Sequence, residues 1–122
     1  GLQANARAGL EQAQTGAAVS AAFAQYAQGD HRGFLAHMRT LRYEAASLGA
    51  SHAQQDLYFQ LLVDAALRLD DLPLAKNLLK ERLARRFTDA ADWLRLQDMA
   101  LRIDNAADPH ALRGLLAVAL PR

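Results

Sequence analysis

The chain writes nearly the same seven letters twice, DAALRLD at residues 64–70 and DMALRID at 98–104, a period of 34 residues. The match widens when 55–70 (QDLYFQLLVDAALRLD) is laid on 89–104 (DAADWLRLQDMALRID) without a gap. Leu62 then meets Leu96, Asp64 meets Asp98, Ala66 meets Ala100, Leu67-Arg68 meets Leu101-Arg102 and Asp70 meets Asp104, while the bulky Phe59 lands on Trp93. A period of this length marks a helical hairpin that buries its apolar face only by stacking on a neighbour. Phe59 and Trp93 are expected as plugs between the two helices of a hairpin. Ala66 and Ala100 are expected at close helix approaches, and Asp70 and Asp104 at the turns. Ala75 is the small residue on which a second helix closes. Gly29-Asp30 marks an earlier turn of the same kind, 41 residues before Asp70-Asp71, with Phe34 in the place of Ala75.

The rest of the chain agrees with helix throughout. Ala, Leu, Gln and Arg dominate, with three prolines and little Val or Ile, in a chain of 122 residues that is 52% hydrophobic. Turn signals at Thr15-Gly16, Gly29-Asp30, Gly49-Ala50-Ser51, Asp70-Asp71, Thr88-Asp89 and Asp108-Pro109 divide it into seven helical stretches: 2–14, 17–28, 31–48, 51–69, 72–86, 89–104 and 109–119. Within the third, Phe34, Met38, Leu41, Ala45 and Leu48 line one face. Within the fifth, Leu72, Ala75, Leu78, Leu79 and Leu83 do so, which leaves Lys76, Lys80, Arg82, Arg85 and Arg86 for the other faces. Connections this short make consecutive helices antiparallel neighbours. The expectation is one all-α domain over 1–122, with hairpins at 17–48, 51–86 and 89–119 stacked as a right-handed superhelix of tetratricopeptide type.

GDHRGFLAHMRTLRYEAASLGASHAQQDLYFQLLVDAAL adds a more specific likeness. Gly29-Asp30, Leu41-Arg42-Tyr43, Gly49, Ser51, Ala53-Gln54, Asp56, Gln60-Leu61-Leu62 and Ala65-Ala66-Leu67 resemble the C-terminal part of the tetratricopeptide repeat protein 38 family. Where that family carries Arg this chain has Gln55. The resemblance implies an α-helical repeat fold and brings no reaction or cofactor with it. The family's longer N-terminal repeat region is missing, and the chain opens in a helix-forming stretch, so it is expected to be a C-terminal piece of a longer protein.

Chemistry-bearing motifs are few. Cysteine is absent, which excludes disulfides and thiolate metal sites and fits a cytoplasmic setting. A net charge of +1 gives no reason to seek nucleic acid, and no apolar run reaches the ~20 residues of a membrane span. His52 and Asp56 stand four apart, as a base and its orienting carboxylate would. The simpler reading is a capping box of Ser51 and Gln54, with Asp56 favourable against the helix dipole. His31, His37 and His110 read as surface histidines, and no HExxH, phosphate loop or nucleophile elbow occurs. KERLARR at 80–86 reads as a solvated helix end. No catalytic residue, metal or cofactor is expected.

The repeated acid-before-base pairs, Asp64–Arg68 and Asp98–Arg102, are the better candidates. On first helices of adjacent hairpins, Gln60, Asp64, Arg68, Arg95, Asp98 and Arg102 would border a groove for a protein or peptide partner. Alternatively they are surface ion pairs worth about 0.3–0.5 kcal/mol each. The last helix is apolar almost all round, and Leu112, Leu115, Leu116 and Leu120 are expected to support self-association. The function expected is therefore non-enzymatic protein–protein interaction. The alternative is an accessory or regulatory helical domain of a larger enzyme or transcription regulator.

Overall fold

The structure is a computed structural model that describes residues 1–85 and 89–119. Among them the chain forms six helices and no strand: α1 (Leu2–Ala27), α2 (His31–Ser47), α3 (His52–Arg68), α4 (Leu72–Arg85), α5 (Ala90–Asp104) and α6 (Pro109–Ala119). None of the described helices is long and apolar enough to cross a membrane.

The seventh helix expected from the sequence does not exist as a separate element, because Thr15-Gly16 does not break α1. Gly16 costs a helix interior only about 1 kcal/mol. Val19, Ala22 and Phe23, packed into the core one turn further on, hold the helix on that side. Upstream, the Gln12 amide donates to the Leu48 carbonyl at 3.0 Å. Residues 1–14 are nevertheless exposed throughout, so the first half of this helix runs on as an uncovered arm.

Three of the turns use one device. Gly29 (φ 84°), Gly49 (φ 97°) and Asp70 (φ 60°) each take the left-handed conformation just beyond a helix end. The next residue's N–H then reaches back five positions, from Asp30 to Gln25, Ala50 to Ala45 and Asp71 to Ala66, at 2.8–2.9 Å. These paired bonds satisfy carbonyls that a helix end leaves bare. Asp30 and Asp71 then cap the following helix, accepting from Gly33 N–H at 2.9 Å and Leu74 N–H at 3.2 Å. Gly33 leaves room for that cap: a Cβ there would lie 2.3 Å from the Asp30 carboxylate, which would have to shift. Asp70 is a turn residue, as expected. Asp104 is not: it is the last residue of α5, and its carboxylate lies 3.1 Å from Lys76 and 2.9 Å from Lys80 on α4. The α5 end lacks the left-handed residue; Asn105 N–H reaches Leu101 at 3.2 Å and Ala106 N–H reaches Ile103 at 3.3 Å, with no bond reaching back five positions among the described residues.

The helices follow each other in space as they do in sequence. α2 packs between α1 and α3, α4 packs on α3, and α5 and α6 both reach α4, with α6 also on α3. The core runs through Phe34, Met38, Phe59, Leu62, Val63, Ala66, Ala75, Leu78, Leu79 and Leu96 to Leu116. Phe59 is buried as a plug, with the Arg42 guanidinium 5.6 Å from its ring centre. Trp93 is only half-buried, and its indole N–H donates to the Leu83 carbonyl of α4 at 3.1 Å. It therefore ties α5 to the preceding hairpin.

Candidate functional site

A concavity of about 450 Å³ opens between α1 and α3, within the ~300–1,000 Å³ typical of ligand pockets. Val19, Ser20 and Phe23 line it from α1, Ala45 and Leu48 from α2, and Gln54 and Tyr58 from α3. Helical spacing explains the α1 contribution: residues 19, 20 and 23 share a face. Phe23 and Tyr58 meet edge to face at 5.9 Å, and Tyr58 is almost fully buried, so the aromatic floor is fixed. The polar groups around the rim are Gln12, Thr15, Ser20 and Gln54; no charged side chain lines the cleft. Such a wall suits apolar side chains with a few hydrogen bonds.

The six polar residues expected at a groove are distributed differently. Asp64 accepts a short hydrogen bond from the Tyr26 hydroxyl and pairs with Arg68 at 2.9 Å, which joins α3 to the end of α1. Burial first, and the Asp64 hydrogen bond second, push the Tyr26 phenol above its ordinary pKa. The Asp64 hydrogen bond also raises that of Arg68. Gln60 is turned to Asp56, donating at 2.8 Å. On α5, Arg95 pairs with Asp92 at 3.0 Å, and Asp98 with Arg102 at 3.2 Å. Among the described residues no hydrogen bond or ion pair joins the α3 set to the α5 set. Of these three pairs, Asp98–Arg102 is the one well exposed on both sides.

The Ser51–Gln54 capping box forms as expected, with Gln54 N–H to Ser51 Oγ at 3.1 Å and Ser51 N–H to Gln54 Oε1 at 2.9 Å. Asp56 has a larger role than easing the dipole. It is buried and takes a two-pronged contact from Arg82, Nε at 2.5 Å and Nη2 at 3.1 Å. Arg82 is thus not part of a solvated helix end. A signal was present in the sequence: Ala75, Leu78 and Leu79 are followed, one turn on, by Arg82 on the same stripe. An ionised group that continues an apolar face needs a buried counter-charge.

The rest of the basic run is also occupied. Lys80 holds Asp104, and Arg85 lies 5.8 Å from the Tyr43 ring centre; Arg86 falls outside the described residues. A second network links α2 to α4: Arg42 pairs with Glu81 at 3.1 Å, and the Tyr43 hydroxyl donates to the same carboxylate. That hydrogen bond raises the Tyr43 pKa, with burial second. His37 Nδ1 lies 2.8 Å from Gln25 Oε1, and the His31 ring rests edge-on against Tyr26 at 5.1 Å. His52 and His110 are exposed. No group of three or more metal-ligating side chains forms among the described residues.

The apolar side of α6, expected to support self-association, is filled from within the chain. Leu116 is fully buried, and Leu112 and Leu115 are partly buried against the same core; Leu120 lies outside the described residues. α6 thus seats part of its apolar side on α3 and α4, while Val118 on the same helix is 62% exposed. Comparison with protein-family models, with curated proteins and with solved structures gave no match.

Proposed function

We propose that this chain is a non-enzymatic interaction domain built from tetratricopeptide-like helical hairpins, stacked as a right-handed superhelix, and that the α1–α3 cleft receives a segment of a protein partner. The likeness of residues 29–67 to the tetratricopeptide repeat protein 38 family belongs to the same reading. The observation that carries it is the cleft itself: two successive first helices supply an aromatic floor and an uncharged polar rim, beside the exposed arm of α1. Asp98 and Arg102 remain available at the far end for rim contacts, which set partner choice more than affinity.

Selection of a displayed random-peptide library on the purified domain tests this. The expected result is an enriched peptide whose binding weakens at least about tenfold in Ser20→Arg, an exposed rim position where a large cation blocks entry. Circular dichroism should be unchanged in that variant. A library that enriches nothing, or a peptide indifferent to Ser20→Arg, overturns the reading.

A further inference from the structure

Arg32 and Arg39 set one small cleft apart from the rest of the surface. Every lysine and arginine described between Arg42 and Arg113, except Arg85, has a carboxylate oxygen within 3.2 Å. Arg85 lies over the Tyr43 ring instead. Arg32 and Arg39 are exposed and have no carboxylate partner among the described residues. Seven residues apart on α2, they project from one face, about 10 Å from each other along the helix axis. Both line a cleft of about 290 Å³ between α2 and the α3–α4 turn, whose remaining walls are Leu35, Ala36, Leu69, Asp71 and Leu74. Asp71 forms no ion pair with either arginine; its carboxylate caps α4 through Leu74 N–H.

We propose that this cleft binds an acidic peptide segment, in which two carboxylates three residues apart engage Arg32 and Arg39 while an apolar side chain between them packs on Leu35, Leu69 and Leu74. The spacing fits. In an extended polyproline-like peptide, residues i and i+3 lie on one side about 9 Å apart. Guanidinium groups match carboxylates through two parallel N–H donors, a geometry that lysine does not offer. The Asp71 carboxylate in the wall repels a dianionic phosphate more strongly than a single carboxylate. Two cations also fall short of the ladder of phosphate contacts that holds nucleic acid. The site lies on a second helix and a turn, apart from the uncharged α1–α3 cleft, and does not depend on what that cleft binds.

Fluorescence anisotropy with a labelled Gly-Ser-Glu-Leu-Pro-Glu-Gly-Ser peptide tests the proposal. Saturable binding is expected, weakening as salt is raised. Arg32→Gln combined with Arg39→Gln weakens it at least about tenfold, and so does exchanging both glutamates of the probe for glutamine. Ser20→Arg leaves it unchanged, which separates this site from the cleft across the molecule. Both arginines are exposed, so the paired variant retains the wild-type melting curve. Absence of saturable binding, equal affinity in the paired variant, loss of binding in Ser20→Arg, or tighter binding of a phosphoserine version or of duplex DNA would each overturn the proposal.

Discussion

Residues 55–70 and 89–104 share letters in register, yet they end in different surroundings. Leu62 and Leu96 are both buried, and so are Ala65 and Met99. On the other side of the same helices, Leu67 is 7% exposed and Leu101 is 61% exposed. Asp64 is tied to Tyr26 of α1, whereas Asp98 and its partner Arg102 are open to water. The difference is one of neighbours. Among the described residues α3 packs against α2, α4 and α6 and meets α1 through Tyr26 and Phe23, while α5 packs chiefly against α4 and α6. The repeat encodes an inner seam that any copy can bury; position in the stack decides the fate of the outer half.

The sharpest way to break the comparison is to attack the charge pair inside the first of the two copies. Arg82→Ala strands the Asp56 carboxylate in the core with only Gln60 for company, and is expected to cost about 3–5 kcal/mol in urea denaturation. Replacing both partners, Asp56→Leu with Arg82→Met, should recover most of that loss. Asp98→Ala in the second copy should cost less than about 0.5 kcal/mol. The next effect is smaller and tests the leucines directly. Leu67→Ala is expected to lose about 2–3 kcal/mol, and Leu101→Ala to stay within about 0.5 kcal/mol of wild type. Equal losses at the two positions would show that α5 is covered in solution.

Much of this arrangement was legible in the letters. Helix starts and stops followed from Asp30, Ser51, Asp71, Asp89 and Asp108, whose caps need only local geometry, and from glycines at positive φ. The continuity of α1 through Gly16 was not legible, because a mild local penalty is outweighed by packing further along the chain. The Asp56–Arg82 pair was half-legible: each residue interrupts an apolar stripe, but only the fold brings positions 26 apart into contact. The candidate cleft was the least legible part. Phe23 lies outside the repeated stretch, and Tyr58, inside it, aligns with Asp92, so the repeat marks neither; it took the packing of two helices to make one wall of them.

A finer probe concerns the bond that only the first copy makes. Tyr26→Phe removes the hydroxyl held by Asp64 and is expected to cost about 1–2 kcal/mol, a typical loss for a hydrogen bond to a charged group. The phenol's pKa is raised in the folded chain, chiefly by burial and then by Asp64. The unfolded chain therefore gives up this proton first. The stabilisation is complete below about pH 10 and is lost as pH rises through the higher folded value. The stability gap between wild type and Tyr26→Phe should accordingly narrow in strongly alkaline buffer, while that between wild type and Asp98→Ala should not change there.

The smallest effect belongs to α5, which is pinned to α4 at both ends: Trp93 to Leu83 at one, Asp104 to Lys76 and Lys80 at the other. Lys80 first and Lys76 second hold the Asp104 pKa below its ordinary value. A lowered folded pKa means that the contribution is present above about pH 4 and is lost as pH falls below it. Trp93 is the chain's single tryptophan, so its emission reports on this helix alone. In wild type, acidification through pH 4 should shift that emission to the red before far-ultraviolet circular dichroism changes. In Asp104→Asn part of the shift should already be present at pH 7, with a correspondingly smaller acid step. An emission that moves only together with the loss of helix would mean that α5 is held as firmly as α3, and that the missing neighbour makes no difference to its docking.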